Sequence, residues 1–182
     1  KHIRSAKAVI SQLEVPDDAI LEAFTIARQA GVMTILNPAP ARSVIPEIIH
    51  HTDLIVPNET EAELLTGITV KGRQGAEEAS RFLLNLGARS VVLTLGEEGS
   101  LLYEQAKTRN FPAYKVHAVD TTGAGDAFIG GLAYALARGD SLDQSIEFAN
   151  CTAALSVTKI GTQLSFPTLV EVDNFQKTHG YE

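Results

Sequence analysis

One segment carries most of the chemistry legible in this chain: Ala118-Val119-Asp120-Thr121-Thr122-Gly123-Ala124-Gly125-Asp126-Ala127, followed by a strongly apolar run. The pattern is a strand end, two glycines and the start of a helix. Backbone N–H groups at a helix N-terminus lack intrahelical partners and point outward. Together with the macrodipole they make a site for an anion. Gly123 and Gly125 would let a phosphate approach the backbone closely. Asp126 falls in the first turn, beside that site. A carboxylate repels phosphate, so its chemical use there is to take a proton from a hydroxyl attacking phosphorus. The same carboxylate could instead complement the dipole of its own helix. A dinucleotide fingerprint is excluded, because Phe128 stands where the third glycine belongs, and no Gly-Lys-Ser/Thr occurs for a Walker A loop.

Two further segments have paired readings. Asn58-Glu59-Thr60-Glu61 has the spacing of a capping box, with Asn58 as N-cap and Glu61 at N3. It could also organise phosphate and magnesium-bound water. Thr94-Leu95-Gly96-Glu97-Glu98-Gly99 reads as a tight turn that needs glycine for positive φ, or as a turn whose open backbone faces a nucleotide. Glu97 and Glu98 suit a solvated turn. Cys151, near Ala153, Ala154 and Leu155 on an apolar helix, reads as a buried inert thiol. Lys159, close to a helix C-terminus, reads as a dipole complement.

The elements that must position these residues alternate through the first half. Strands are expected over 6–13, 32–36, 53–56 and 90–95, with helices over 17–30, near 46–50, over 59–65 and over 76–86. Ile20, Ala23, Phe24 and Ala27 show the helical spacing most clearly, and Gly31, Gly67 and Gly87 stand at helix ends. Strands over 99–103 and 113–119 follow without an intervening helix, as an antiparallel pair would require. Helices are expected over 123–137, 141–157 and 168–177; Ser141 with Gln144, and Thr168 with Glu171, have capping-box spacing. The alternation predicts an α/β fold: a layered, mostly parallel sheet flanked by helices. The four parallel strands would end at Glu14, Asn37, Asn58 and the Thr94–Gly96 turn, along the edge where such sheets bind ligands.

Composition narrows the function classes. The chain has 182 residues and a net charge of −7, the wrong sign for a nucleic-acid face. One cysteine excludes an internal disulfide framework and a four-cysteine zinc site. No stretch approaches the ~20 apolar residues of a membrane span, and the N-terminus has no secretory h-region. The first residue is Lys1 and the only methionine is Met33, so the chain reads as starting inside a longer protein or as processed.

Taken together and in this order, the motifs resemble the ribokinase branch of the PfkB carbohydrate kinase family. Asp120–Asp126 resembles the family's second signature, and Asn58-x-x-Glu61 its N-x-x-E motif. Asn37-Pro38-Ala39-Pro40-Ala41, Pro57-Asn58-Glu59-Thr60-Glu61-Ala62-Glu63, Gly161-Thr162-Gln163 and Ser165-Phe166-Pro167 resemble that branch in particular. The resemblance implies ATP-dependent phosphorylation of ribose on its 5-hydroxyl, in the cytoplasm. Asp126 would be the base and would hold the sugar. Gly123, Ala124 and Gly125 would form the anion hole. Asn58 would contact ATP phosphates and Glu61 the magnesium–water network. Thr94, Leu95, Gly96, Glu97, Glu98 and Gly99 would line the nucleotide, with Asn150 beside the adenine. Glu14 matches a sugar-contacting glutamate. Asp120, Thr122, Ser156, Lys159, Gly161 and Ser165 match a monovalent-cation site built largely of carbonyls, where potassium would stiffen the anion hole.

The family's first glycine-rich signature, most of its sugar contacts and its small β-sheet lid have no counterpart in residues 1–182. The chain is therefore expected to be the C-terminal nucleotide-binding and catalytic portion, with an exposed sheet edge and apolar surface. Dimerisation through the lid would belong to the full-length protein only. Two alternatives stand beside the ribose reading. One is a nucleotide-binding fragment without catalysis. The other is a sibling kinase acting on fructose, a keto-deoxy sugar acid or a nucleoside.

Overall fold

The computed structural model describes residues 2–179. They form two compact units, one comprising the chain up to Leu95 together with Leu101–Asn110, the other Gly96–Ser100 and the chain from Phe111 onward.

The first unit is built on a six-stranded sheet in the order β1-β2-β3-β4-β5-β6. β1 (Ala8–Ser11), β2 (Met33–Leu36), β3 (Leu54–Ile55) and β4 (Ser90–Thr94) are parallel, paired from Ala8 with Met33 through Leu54 with Ser90. An isolated bridge between Asn58 and Thr94 extends the last pair. The expected parallel order is therefore present, with shorter strands than the apolar runs suggested.

The crossovers carry α1 (Asp17–Gln29), α2 (Pro46–His50), α3 (Glu59–Thr66) and α4 (Gly72–Asn85). Strands added in one direction by crossovers of one hand place every connecting helix on the same face. That face is one apolar cluster, joining Ile20, Phe24, Ile48, Ile49, Ala76 and Leu83 of the helices to Leu36, Ile55, Val91 and Leu93 of the strands. Ile35, Leu54, Val92 and Leu102, which alternate with the cluster residues, are also buried. Burial on both faces explains why these strands read as continuous apolar runs.

One expected strand is corrected. The partner of β5 (Ser100–Glu104) is β6 (Lys107–Phe111), not residues 113–119, which have no regular structure. The β5–β6 connection is two residues, Gln105 and Ala106, with φ of 49° and 59°. Positive φ at both central residues is the type I′ hairpin geometry, usually signalled by Asn-Gly. Gln-Ala hides that signal, and the polar Lys107-Thr108-Arg109-Asn110 reads as a loop because β6 is an edge strand. At the opposite edge, Ile10 on β1 is 41 % exposed.

The second unit packs α5 (Ala124–Arg138), α6 (Leu142–Ser156) and α7 (Leu169–His179). α5 and α6 touch closely at Gly131, where a Cβ would come within 2.7 Å of the Thr152 hydroxyl and 3.3 Å of the Ala149 Cα. Ala135, Phe148, Cys151 and Val172 form a separate core cluster with Tyr114 and Phe175 around it. Both capping boxes are present: Gln144 N–H bonds the Ser141 hydroxyl, and Glu171 N–H the Thr168 hydroxyl, each with the reciprocal side-chain bond.

Candidate active site

In the second unit, α5 begins at Ala124, with Gly123 as its N-cap in the left-handed region at φ 80°. A side chain at Gly123 would be strained by that φ, although its Cβ would make only ordinary contact with Thr162 and Phe166. Of the three expected anion-hole amides, Ala124 N–H is already bonded to the Thr121 carbonyl at 3.2 Å. The amides of Gly123 and Gly125 bond no group among the described residues. A Cβ at Gly125 would meet open space, and the residue is exposed. Two donors thus stand at an accessible helix N-terminus, which is the geometry that accepts a phosphoryl oxygen. Asp126, exposed in the same first turn, carries the nearby carboxylate.

The loop before α5 is held by Asp120. One carboxylate oxygen accepts from the Thr122 amide at 2.9 Å and the other from the Gly161 amide at 3.0 Å. Those amide bonds hold the carboxyl down at about 2. The Val157 carbonyl accepts from the amides of Val119 and Asp120. The stretch leading into the helix N-terminus is thus tied to the segment after α6. Spacing alone did not reveal Asp120 as this tie; an acid two residues before a turn amide is the local signal for it.

The other expected cation-site residues lie in or beside the same segment. Ser165 is buried and bonds the Thr162 carbonyl. The Ser156 carbonyl accepts from Lys159 N–H. The Lys159 ammonium is not a simple dipole complement: it pairs with Glu171 at 2.8 Å. The carbonyls of Asp120, Lys159, Gly161 and Ser165 are not used by the loop's own hydrogen bonds. Among the described residues there is no cluster of three or more His, Cys, Asp or Glu side chains that could hold a metal ion. A carbonyl-built monovalent site fits that pattern, and a carboxylate cage does not.

The turn Gly96–Gly99 includes a short 3₁₀ helix over Gly96–Glu98, with Gly99 N–H bonded to the Gly96 carbonyl. Gly99 has φ 96°, and a Cβ there would run into the Phe111 carbonyl oxygen. Glycine is therefore required both for conformation and for space, while Glu97 and Glu98 are exposed as expected. Asn150 is 6 % exposed; its amide accepts from Ser100 at 3.3 Å and donates to the Phe111 carbonyl at 3.2 Å. It pins the strand entrance beside that turn. The Cys151 thiol is buried and pushed up to about 12 by desolvation, as an inert thiol should be.

In the first unit, the Asn58–Glu61 capping box is complete. Asn58 Oδ1 accepts from Glu61 N–H at 2.8 Å, and Glu61 accepts from Asn58 N–H and Nδ2, both at 2.9 Å. Glu61 is buried, and desolvation raises its pKa against the lowering effect of the Asn58 amide. Both carboxylate oxygens are thus engaged by Asn58. Asn58 itself is exposed at the strand-end edge, as is Glu14, while Thr94 and Leu95 are half-buried.

Residues 1–169 match the model of the pfkB family carbohydrate kinases. The chain is 45 % identical over 172 residues to the ribokinase of Staphylococcus aureus, covering 94 % of this chain and 57 % of that protein. It is 35 % identical over 174 residues to the deoxyribokinase of Salmonella typhi, covering 95 % and 57 %. Its fold matches Arabidopsis thaliana ribokinase complexed with ribose and ATP at a TM-score of 0.92 and 31 % identity, covering 99 % of this chain and 58 % of that one. The chain thus spans a little over half the length of the relatives it matches. With the glycine-opened helix, the Asn58–Glu61 pair and the family model all in agreement, this chain belongs to the pfkB family of carbohydrate kinases.

Proposed function

We propose that this chain supplies the nucleotide-binding and catalytic portion of an ATP-dependent ribose kinase. The observation that carries the reading is the helix N-terminus at Gly123–Asp126: two amides that bond no group among the described residues, with a carboxylate in the same turn. In this reading Asp126 takes the proton of the attacking sugar hydroxyl. The amides of Gly123 and Gly125 hold the charge that builds on the transferring phosphoryl oxygens. Ala124 contributes shape rather than a donor, since its amide is spent on Thr121. Asn58 contacts the nucleotide phosphates, and buried Glu61 orients water of a magnesium ion. When bound, magnesium would neutralise phosphate charge. Thr94, Leu95 and the Gly96–Gly99 turn line the nucleotide, with Asn150 holding that turn's neighbour in place. Glu14 contacts the sugar.

The loop held by Asp120 suits a potassium ion bound by carbonyls near Thr122, Ser156, Lys159, Gly161 and Ser165. Its contribution would be to stiffen the turn that presents Gly123 and Gly125. The Asp120 carboxylate, engaged by two amides, shapes the loop. Among the described residues no helix is long and apolar enough to cross a membrane, and a cytoplasmic setting, where ATP is available, goes with the reading.

The 35 % identity to a deoxyribokinase favours one second reading, a kinase for the 2-deoxy sugar. A coupled assay of the intact protein with ribose, deoxyribose, fructose and a nucleoside separates the two. Ribose is expected to give the highest kcat/KM; a preference for deoxyribose would replace the ribose assignment. Calorimetry of the 182-residue chain with a non-hydrolysable ATP analogue tests the nucleotide portion by itself, and turnover by this chain alone would remove the fragment reading.

A further inference from the structure

The motif Asn37-Pro38-Ala39-Pro40 has no role in the mechanism above, yet Asn37 is 8 % exposed at the end of β2, between β1 and β3. The regular ladders of β2 finish there, and beyond them a backbone bond from Leu13 N–H to the Ala39 carbonyl still ties the β1 exit. Asn37 N–H bonds the Ser11 carbonyl and Val56 N–H the Leu36 carbonyl. Pro38 has no N–H and cannot continue them. The Asn37 side chain takes over in both directions. Its Oδ1 accepts from Gln12 Nε2 at 2.8 Å, and its Nδ2 donates to the Val56 carbonyl at 2.9 Å. A primary amide offers an acceptor and a donor on one short planar group.

We propose that Asn37, acting with Gln12, is a positioning residue that sets the strand exits carrying two different substrate contacts. Gln12 lies two residues before Glu14, and Val56 two residues before Asn58. One amide therefore links the sugar-side exit on one flank to the phosphate-side exit on the other. The clamp rests on the ribose kinase reading for what those exits bind, though not for the bonds themselves.

The two arms can be cut separately in the intact protein. Asn37→Asp keeps an acceptor for Gln12, but removes the donor to Val56 and sets a carboxylate against its carbonyl. The KM for MgATP is expected to rise ~5-fold or more, with the ribose KM within about twofold. Gln12→Met removes the other arm, and the pattern should reverse. Amide hydrogen exchange gives a readout independent of catalysis. Val56 and Asn58 should exchange faster in Asn37→Asp with Leu13, bonded to the Ala39 carbonyl, unchanged; Gln12→Met should do the opposite. Both constants moving together in both variants would overturn the clamp, as would a fall in thermal stability with both constants unchanged. A wild type that binds nucleotide but phosphorylates no sugar would defeat the function reading alone, and the exchange pattern would then decide the clamp.

Discussion

Replacing Asp126 by Asn separates the two uses a first-turn carboxylate can have. Asp126 lies at the third position of α5, where a negative charge complements the helix dipole. Losing that charge costs about 0.3–1 kcal/mol at an exposed site. For a domain of 150–250 residues this lowers Tm by roughly 1–4 °C. Losing a general base instead costs on the order of 10²–10⁴ in kcat, or about 2.7–5.4 kcal/mol of barrier at 1.36 kcal/mol per decade. The rate effect exceeds the stability effect several-fold, so the two are distinguishable in one variant. Asp143 provides the control, since it occupies the first turn of α6 and α6 carries no part of the proposed anion site in that turn. Asp143→Asn should leave the rate unchanged, whatever its own effect on Tm. The assay is initial velocity at saturating MgATP and ribose in the intact protein, with thermal melts of the same samples. If Asp126→Asn keeps kcat within about threefold of wild type while losing only the Tm increment, the carboxylate is a helix complement and the base assignment is wrong.

Other expectations concern the frame around the site. Gly131→Ala gains about 1 kcal/mol of helix propensity but overpacks Thr152 and Ala149 at a cost of about 1–3 kcal/mol; a net loss of stability in urea unfolding is expected. Asp120, held at about 2 by the Gly161 and Thr122 amides, is depressed in the folded state. It stabilises the fold above the ordinary carboxylate range, and that stabilisation disappears as pH falls from ~4 toward 2. Melts from pH 2 to 7 should therefore show Asp120→Asn less stable at pH 7, with the gap closing in acid. Cys151, buried and raised to about 12, should resist iodoacetamide at pH 8 in the native protein and react after unfolding, as read by mass spectrometry.

Local signals were legible wherever one residue and its near neighbours settle the conformation. The capping boxes at Asn58, Ser141 and Thr168 depend on residues three apart. The glycine after α3 and the glycine before α5 are similarly local, with φ of 71° and 80°. The parallel order followed from alternation because few topologies satisfy short, one-handed crossovers. β6 escaped because an edge strand needs no apolar face and its turn used Gln-Ala in place of Asn-Gly.

The candidate site divides along the same line. Residue types and order alone determined the glycine-opened helix, the acid within it and the Asn58–Glu61 pair, because each is contained in a few consecutive residues. Only the tertiary structure decided which groups remain available. It spent Ala124 N–H on Thr121, gave both oxygens of Asp120 to Thr122 and Gly161, and closed Asn150 onto Ser100 and Phe111. It also joined Gln12, Asn37 and Val56 across three strands. A hydrogen bond uses up an N–H donor and occupies one lone pair of an oxygen acceptor. When partners are tens of residues apart, the fold determines which groups are consumed and which remain for a ligand.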